Sequence, residues 1–185
     1  FSDPIYPAVL PVVFAEGWEK VKKELDLTES IIKIGEKFGA ALGGLMTSFS
    51  EGVTTLAHGD FRADNMMFTK NNEFVLYDFQ LIGTGSGAYD LAYFVTQSLT
   101  PEDASKYEQE LFERWLEGLR ANGVTDIDRD QLWLQYRGTA LFCLIYPVVA
   151  SRGMNLNEPR SRALVETMNS RFERAFHELD LAKLI

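Results

Sequence analysis

Residues 57–65 read AHGDFRADN and residues 77–80 read YDFQ, and these two stretches decide how the rest of the chain is interpreted. Asp60 and Asn65 lie in one polar loop, and Asp78 follows a β-rich segment. The residues between the two stretches predict a small hairpin, because β-rich pieces flank a polar turn. A hairpin returns the end of its second strand to the start of its first. We therefore expect Asp78 to lie close to Asn65, with Asp60 a few residues away.

These three oxygen-bearing side chains suit phosphoryl transfer from a nucleotide. Magnesium usually binds one or two carboxylates together with substrate phosphates and water, so Asn65 and Asp78 form a partial metal shell. Asp60 remains free to orient an attacking hydroxyl group and to accept its proton. Each residue taken singly also has an ordinary explanation as part of a turn or a cap. The prediction therefore rests on the order and spacing of the three together.

Helical patterns surround this segment and predict a mostly α, α+β fold in one domain covering residues 1–185. Apolar residues recur every three or four positions in five stretches, namely Asp26–Phe49, Tyr89–Leu99, Pro101–Ala121, Arg129–Ala150 and Pro159–Leu181. Asp26 and Glu29 predict a capping box at the start of the first helix. Short strands are predicted at Thr54–Ala57, Met66–Thr69 and Phe74–Tyr77. The glycine-rich residues 83–87 are interpreted as a mobile connector.

Composition narrows the classes of function. The chain has 18 basic and 27 acidic residues and a formal net charge of −9, which disfavours nucleic acid as a partner because an anionic surface repels phosphate backbones. Its single cysteine, Cys143, excludes an internal disulfide and is typical of a reducing cytoplasm. The longest apolar run, Gly138–Ala150, is shorter than the roughly 20 residues of a membrane helix, so no membrane span is predicted.

The spacing His-Gly-Asp-x-x-x-x-Asn, followed by Asp-Phe at residues 78–79, resembles the catalytic core of the aminoglycoside phosphotransferase and choline kinase-like family, distant relatives of protein kinases. The later sequence Gly87-Ala88-Tyr89-Asp90-Leu91-Ala92 also matches that family. Together, residues 78–80 and residues 91–94 are most similar to its ecdysteroid kinase-like branch. The resemblance implies the C-terminal, larger lobe of a protein kinase-like fold, in which a small hairpin carries the catalytic and metal-binding loops.

The same resemblance implies a role for each matching residue. Asp60 corresponds to the catalytic base, and Arg62 to the basic residue that steadies the transferring phosphate. His58 braces the catalytic loop. Asp90 supports that loop from the start of the following helix by accepting backbone hydrogen bonds.

The implied cofactors are ATP and Mg²⁺, with Asn65 and Asp78 as the metal ligands within the cofactor site. The implied reaction is the phosphorylation of a hydroxyl group on a small molecule that is aminoglycoside-, choline- or ecdysteroid-like. Because a negatively lined cleft concentrates positive ligands, the acidic composition favours a cationic acceptor.

The family's N-terminal lobe, with its phosphate-covering loop and strand lysine, has no counterpart in residues 1–50. We therefore expect this chain alone to be inactive and the missing lobe to be its partner.

Two other interpretations remain open at this stage. The first is a catalytically silent kinase-like module that uses the same cleft to bind a ligand or a partner. The second is a regulatory or structural helical domain in which the motif is coincidental. The second predicts that Asp60, Asn65 and Asp78 lie far apart in the folded chain.

Overall fold

A computed structural model of the chain describes residues 5–52 and 54–185. Within these residues the helices are α1 (Ile5–Glu24), α2 (Glu29–Ser48), α3 (Gly87–Ser98), α4 (Pro101–Ala121), α5 (Arg129–Phe142), α6 (Ile145–Gly153) and α7 (Pro159–Glu178). The strands are β1 (Thr55–Ala57), β2 (Met66–Phe68), β3 (Phe74–Leu76) and β4 (Gly83–Gly85). Short 3₁₀ turns occupy Ala63–Asn65, Phe79–Leu81 and Leu181–Leu184. The architecture is mostly helical, α+β, and compatible with the larger lobe of a kinase-like fold.

The strands form two small antiparallel sheets rather than one hairpin alone. Strands β2 and β3 pair as the predicted hairpin, with Met66 opposite Leu76. Strand β1 pairs with β4, which places Leu56 opposite Thr84. Part of the predicted connector at residues 83–87 is therefore a strand. Its Gly-Thr-Gly sequence carries little strand propensity, so this pairing depends on β1 rather than on a local signal.

The predicted helices differ most from the structure at two places. Helix α2 begins at Glu29 after the N-cap residue Thr28, so Asp26 lies outside the helix and forms no capping box. The predicted helix Arg129–Ala150 is two helices, with a break at residues 143–144. Pro147 explains the break, because a proline ring clashes with the carbonyl group four residues earlier and contributes no N–H to the helix.

Helix α1 was not predicted over its full length, because Pro7 and Pro11 interrupt the pattern. Its buried side chains, including Phe14 and Trp18, pack against α2 and α6 and stabilise it by tertiary contact. A β-carbon on Gly35 of α2 would come within 2.1 Å of the Trp18 ring, so only glycine admits this close approach of the two helices.

The core lies between the helices and includes large side chains that are almost completely buried, among them Phe14, Phe38, Phe49, Phe112, Tyr136 and Phe172. A buried ion pair crosses it: Arg174 of α7 lies 2.6 Å from Glu108 of α4. The hydroxyl of Tyr136 on α5 donates to the same carboxylate at 2.7 Å. Within the described residues, no helix has both the length and the apolar character that a membrane crossing requires.

Candidate functional site

The hairpin pairs Asn65 with Tyr77, the residue before Asp78. The backbone N–H of Tyr77 donates to the carbonyl oxygen of Asn65 at 3.1 Å, which continues the β2–β3 ladder by one pair. Asp78 therefore follows directly after the residue that pairs with Asn65. The Asn65 side chain is buried, whereas Asp78 is exposed.

The Asp60 carboxylate is held at both of its oxygens. Its Oδ1 accepts a hydrogen bond from the Tyr93 hydroxyl at 2.7 Å, and its Oδ2 accepts one from Nδ2 of Asn65 at 2.9 Å. The same Nδ2 also donates to the backbone carbonyl of Asp60 at 2.8 Å. The carboxylate is only 7% exposed, so its orientation is fixed by protein groups rather than by solvent.

Tyr93 is a site residue that the sequence analysis did not identify. Burial, reinforced by the hydrogen bond to Asp60, holds the pKa of its hydroxyl far above the usual value, so the group stays protonated and acts as a donor. Its position three residues after Asp90 places it on the same face of α3. That spacing is the signal that was available in the sequence.

Asp90 holds the start of the loop from below. Its Oδ2 accepts the backbone N–H of His58 at 2.7 Å, and its Oδ1 accepts that of Gly59 at 3.0 Å. Burial raises the pKa of Asp90, and the two backbone hydrogen bonds offset part of this rise by favouring the charged form. The two contacts are those that the family resemblance implies for this residue.

His58 links the loop to the end of the hairpin. Its Nε2 lies 3.0 Å from the carbonyl oxygen of Tyr77, and its Nδ1 lies 3.3 Å from the backbone nitrogen of Asp60. A carbonyl oxygen only accepts and a backbone N–H only donates, so Nε2 carries the proton and Nδ1 is the acceptor. The neutral imidazole thus ties Asp60 to the residue that precedes Asp78.

Residues 58–65 form what we call the catalytic loop, after the role proposed for it below, and this loop runs alongside α3. Asp90 and Tyr93 contact its first part. The Phe94 ring then lies 6.0 Å from the Phe61 ring, and the Ser98 hydroxyl accepts the backbone N–H of Ala63 at 2.9 Å. One helix therefore positions the loop over most of its length.

Arg62 lies beside the Asp60 carboxylate. Its Nε is 3.4 Å from Asp60 Oδ1, and one terminal nitrogen is 3.9 Å from the carboxylate of Asp64. The Nε–H is buried and has no hydrogen-bond partner within the described chain. The Arg62 side chain is 39% exposed, and a guanidinium can donate to the oxygens of a phosphate.

Asp78 has a backbone conformation that is uncommon for a residue other than glycine, with φ of 63° and ψ of 62°. Aspartate tolerates the left-handed region better than most residues do. Both hydrogen bonds of the Asn65 amide nitrogen go to Asp60, which leaves its Oδ1 as the side-chain oxygen available to a metal. An amide oxygen and a carboxylate fit Mg²⁺, which takes its remaining ligands from phosphates and water. Among the residues described, His, Cys, Asp and Glu form no cluster of three or more placed to hold a metal ion.

Gly59 is a second site residue whose importance the sequence analysis did not state. Its φ is +84°, and a β-carbon at this position would lie 2.3 Å from the carbonyl oxygen of Leu81. Glycine is therefore required here for both its conformational freedom and its small size. The signal in the sequence was its place between His58 and Asp60.

The sequence profile of the ecdysteroid kinase-like family matches residues 9–124. An uncharacterized protein of Deinococcus radiodurans is 32% identical over 104 residues, which are 56% of this chain and 30% of that protein. The chain thus corresponds to less than a third of that relative's length. Because the family profile covers more than half of the sequence, including residues 58–65 and Asp78, the chain belongs to the ecdysteroid kinase-like family.

Proposed function

We propose that this chain is the larger lobe of an ATP-dependent, Mg²⁺-requiring kinase that phosphorylates a hydroxyl group of a small molecule. The observation that carries the proposal is the Asp60 carboxylate, which is buried and held at Oδ1 by Tyr93 and at Oδ2 by Asn65. A general base must be oriented before the substrate arrives, since catalysis depends on near-attack geometry. Family membership supports the coarser assignment to kinase-like phosphotransferases.

In this proposal Asp60 orients the acceptor hydroxyl and accepts its proton as the oxygen attacks the terminal phosphorus of ATP. The bond from that phosphorus to the bridging oxygen breaks, and ADP leaves. Arg62 stabilises the charge that spreads over the oxygens of the transferring group. His58 and Asp90 keep the loop in position through its backbone.

Asn65 Oδ1 and the Asp78 carboxylate would hold Mg²⁺, which supplies charge neutralisation at the phosphates of the nucleotide. The nucleotide also needs a smaller lobe that covers its phosphates, and we propose this lobe as the partner of the present chain. Alone, the chain is then expected to turn over little substrate.

We further propose a cytoplasmic location, because a single buried thiol suits a reducing compartment. We also propose that nucleic acid is not a partner, because the net charge of −9 repels phosphate backbones.

The test compares the full-length protein with its Asp60→Ala variant in an assay of ATP consumption with a panel of hydroxyl compounds. A general base contributes on the order of 10² to 10⁴ in rate, so the variant is expected to lose that factor in kcat. Glu117→Gln, an exposed change on α4, is the control and should keep full activity. An Asp60→Ala variant as active as the wild type would disprove the assignment.

Nucleotide binding by the full-length protein distinguishes the kinase from the catalytically silent module. A kinase is expected to bind ATP only when Mg²⁺ is present, and the affinity should fall in an Asp78→Asn variant. Titration calorimetry with and without the metal measures both effects. A module that binds no nucleotide under either condition would favour the silent interpretation.

A further inference from the structure

A cavity of about 490 Å³ lies beside the catalytic loop, between β1, the start of α3, the end of α4 and the start of α5. Two of its lining residues connect it to the loop. Phe61 directly follows Asp60, and Asp90 holds the backbone N–H groups of His58 and Gly59. Its volume falls within the roughly 300–1,000 Å³ that is typical of small-molecule sites.

Most of the cavity wall is apolar. Leu91, Trp115, Leu119 and Ile127 are among the lining residues, and each is only partly buried by the rest of the chain. Leu56 at the edge of the cavity is 67% exposed. Apolar surface that faces a concave site is stabilised by an apolar ligand, because binding removes that surface from water.

The charged groups of the cavity all have the same sign. Asp90, Asp126 and Asp128 line it, whereas no Lys, Arg or His of the described chain does so. Asp90 is engaged by the loop, and Asp128 caps α5 by accepting the N–H groups of Asp130 and Gln131 at 3.0 Å.

Asp126 differs from these two carboxylates. It is exposed, and none of the hydrogen bonds or ion pairs found in the described part of the chain involves it. Its charge is therefore available to a ligand.

We propose that this cavity binds an organic amine with an apolar ring or chain, with the ammonium group beside Asp126 and the apolar body against Trp115 and Leu119. The identification of this ligand as the phosphate acceptor rests on the proposed function, since Phe61 joins the cavity to Asp60. The preference of the cavity for positively charged ligands does not rest on the proposed function. Among the acceptor classes considered above, this favours a choline-like amine with an apolar body over a neutral, ecdysteroid-like compound.

The test uses probes that share one body and differ only in charge: cyclohexyl and adamantyl compounds carrying an amine, an alcohol or a carboxylate. Titration calorimetry at low salt measures their binding to the full-length protein. The amines are expected to bind about fivefold more tightly than the matching alcohols, and the carboxylates are expected to show no binding. Equal affinities for amine and alcohol, or no binding by any probe, would overturn the proposal.

Three variants, one of them a control, locate the effect. Asp126→Asn should remove the preference for the amine and leave the affinity for the alcohol unchanged, whereas Asp130→Asn, an equal change in charge outside the cavity lining, should alter neither. Leu56→Lys places a cation at the cavity edge and should weaken amine binding while permitting the carboxylate to bind. An amine preference that survives Asp126→Asn would place the binding site elsewhere and contradict the inference.

The binding assay and the kinase assay fail independently. Charge-selective binding of the amines without phosphate transfer to any hydroxyl compound would leave the cavity assigned and disprove the kinase. Phosphate transfer that depends on Asp60, together with no amine preference, would leave the kinase assigned and disprove the cavity ligand.

Discussion

The Tyr93 hydroxyl donates to Oδ1 of Asp60 at 2.7 Å, and both side chains are buried. The contact joins the middle of α3 to the centre of the catalytic loop. The Tyr93 hydroxyl is engaged by Asp60, so it is not free to contact a substrate. We therefore treat it as a positioning residue for the proposed base.

Tyr93→Phe is expected to lower kcat of the full-length protein by roughly 10- to 100-fold while the KM values for ATP and acceptor stay within about twofold. The reason is that a hydrogen bond to a charged group stabilises its orientation by about 1.5–3 kcal/mol, and this orientation matters in the transition state. Steady-state kinetics at saturating concentrations of both substrates measure the split between kcat and KM.

Tyr146→Phe is the matched control for this change. Tyr146 shares a 2.8 Å hydroxyl–hydroxyl hydrogen bond with Tyr89, and its ring packs 4.8 Å from that of Tyr93, yet no contact with Asp60 is found. Like Tyr93→Phe, Tyr146→Phe is expected to lower the free energy of unfolding by about 1 kcal/mol, but its kcat should be unchanged. Equal losses of kcat in the two variants would show that Tyr93 acts only through packing.

Gly59→Ala is expected to lower the free energy of unfolding by about 2 kcal/mol or more. The φ of +84° is unfavourable for alanine, and the new β-carbon would meet the Leu81 carbonyl oxygen at 2.3 Å. Urea unfolding followed by circular dichroism measures the change. Gly118→Ala, in an open position on α4, should instead stabilise the chain by about 0.5–1 kcal/mol. A Gly59→Ala variant as stable as the wild type would contradict the strained geometry of the loop.

The sequence predicted the elements that depend on local signals. The hairpin follows from β-rich pieces around a polar turn, and the pairing of Asn65 with Tyr77, the residue before Asp78, follows from the hairpin. The family was identified from the spacing of the motif and is confirmed by the profile match. Helix α4 was predicted with its exact bounds, because Thr100 and Pro101 give a strong start signal.

Most of the features that sequence analysis missed depend on contacts between distant parts of the chain. One depends on a proline within an apolar helical pattern. The contact of Tyr93 with Asp60 is set by how α3 is rotated against a loop 33 residues earlier. Strand β4 forms by pairing with β1 rather than from a strand signal in its own sequence. The break after Phe142 is caused by Pro147, which the apolar periodicity concealed.

The buried ion pair between Arg174 and Glu108 gives a third prediction. Removing one partner, as in Arg174→Met, leaves an uncompensated charge among α4, α5 and α7 and should cost about 3–5 kcal/mol of stability. The triple variant Glu108→Leu, Tyr136→Phe, Arg174→Met removes the buried members of the network and leaves Glu178, whose side chain is 44% exposed, so it should recover most of that loss. Glu110→Gln, which breaks an exposed pair with Arg114, should have little effect. Thermal unfolding measures all three.

Cys143 gives a fourth prediction, which concerns reactivity. The thiol is completely buried at the end of α5, and burial raises its pKa well above the ordinary value. Only the thiolate attacks a disulfide reagent, so both access and ionisation oppose the reaction in the folded protein. Labelling by an aromatic disulfide at pH 8 should be at least about 100-fold slower in the native protein than in denaturant, since it requires local or global opening.

Thr125→Cys supplies the internal reference for this measurement. Residue 125 is exposed between α4 and α5, so the new thiol should react at the rate of a free cysteine while Cys143 in the same molecule stays protected. The labelling trace should then show two phases of equal amplitude, and moderate urea should accelerate only the slow phase. A single fast phase for both thiols would mean that α5 and its neighbours open freely, and that the core around Cys143 is not packed as described.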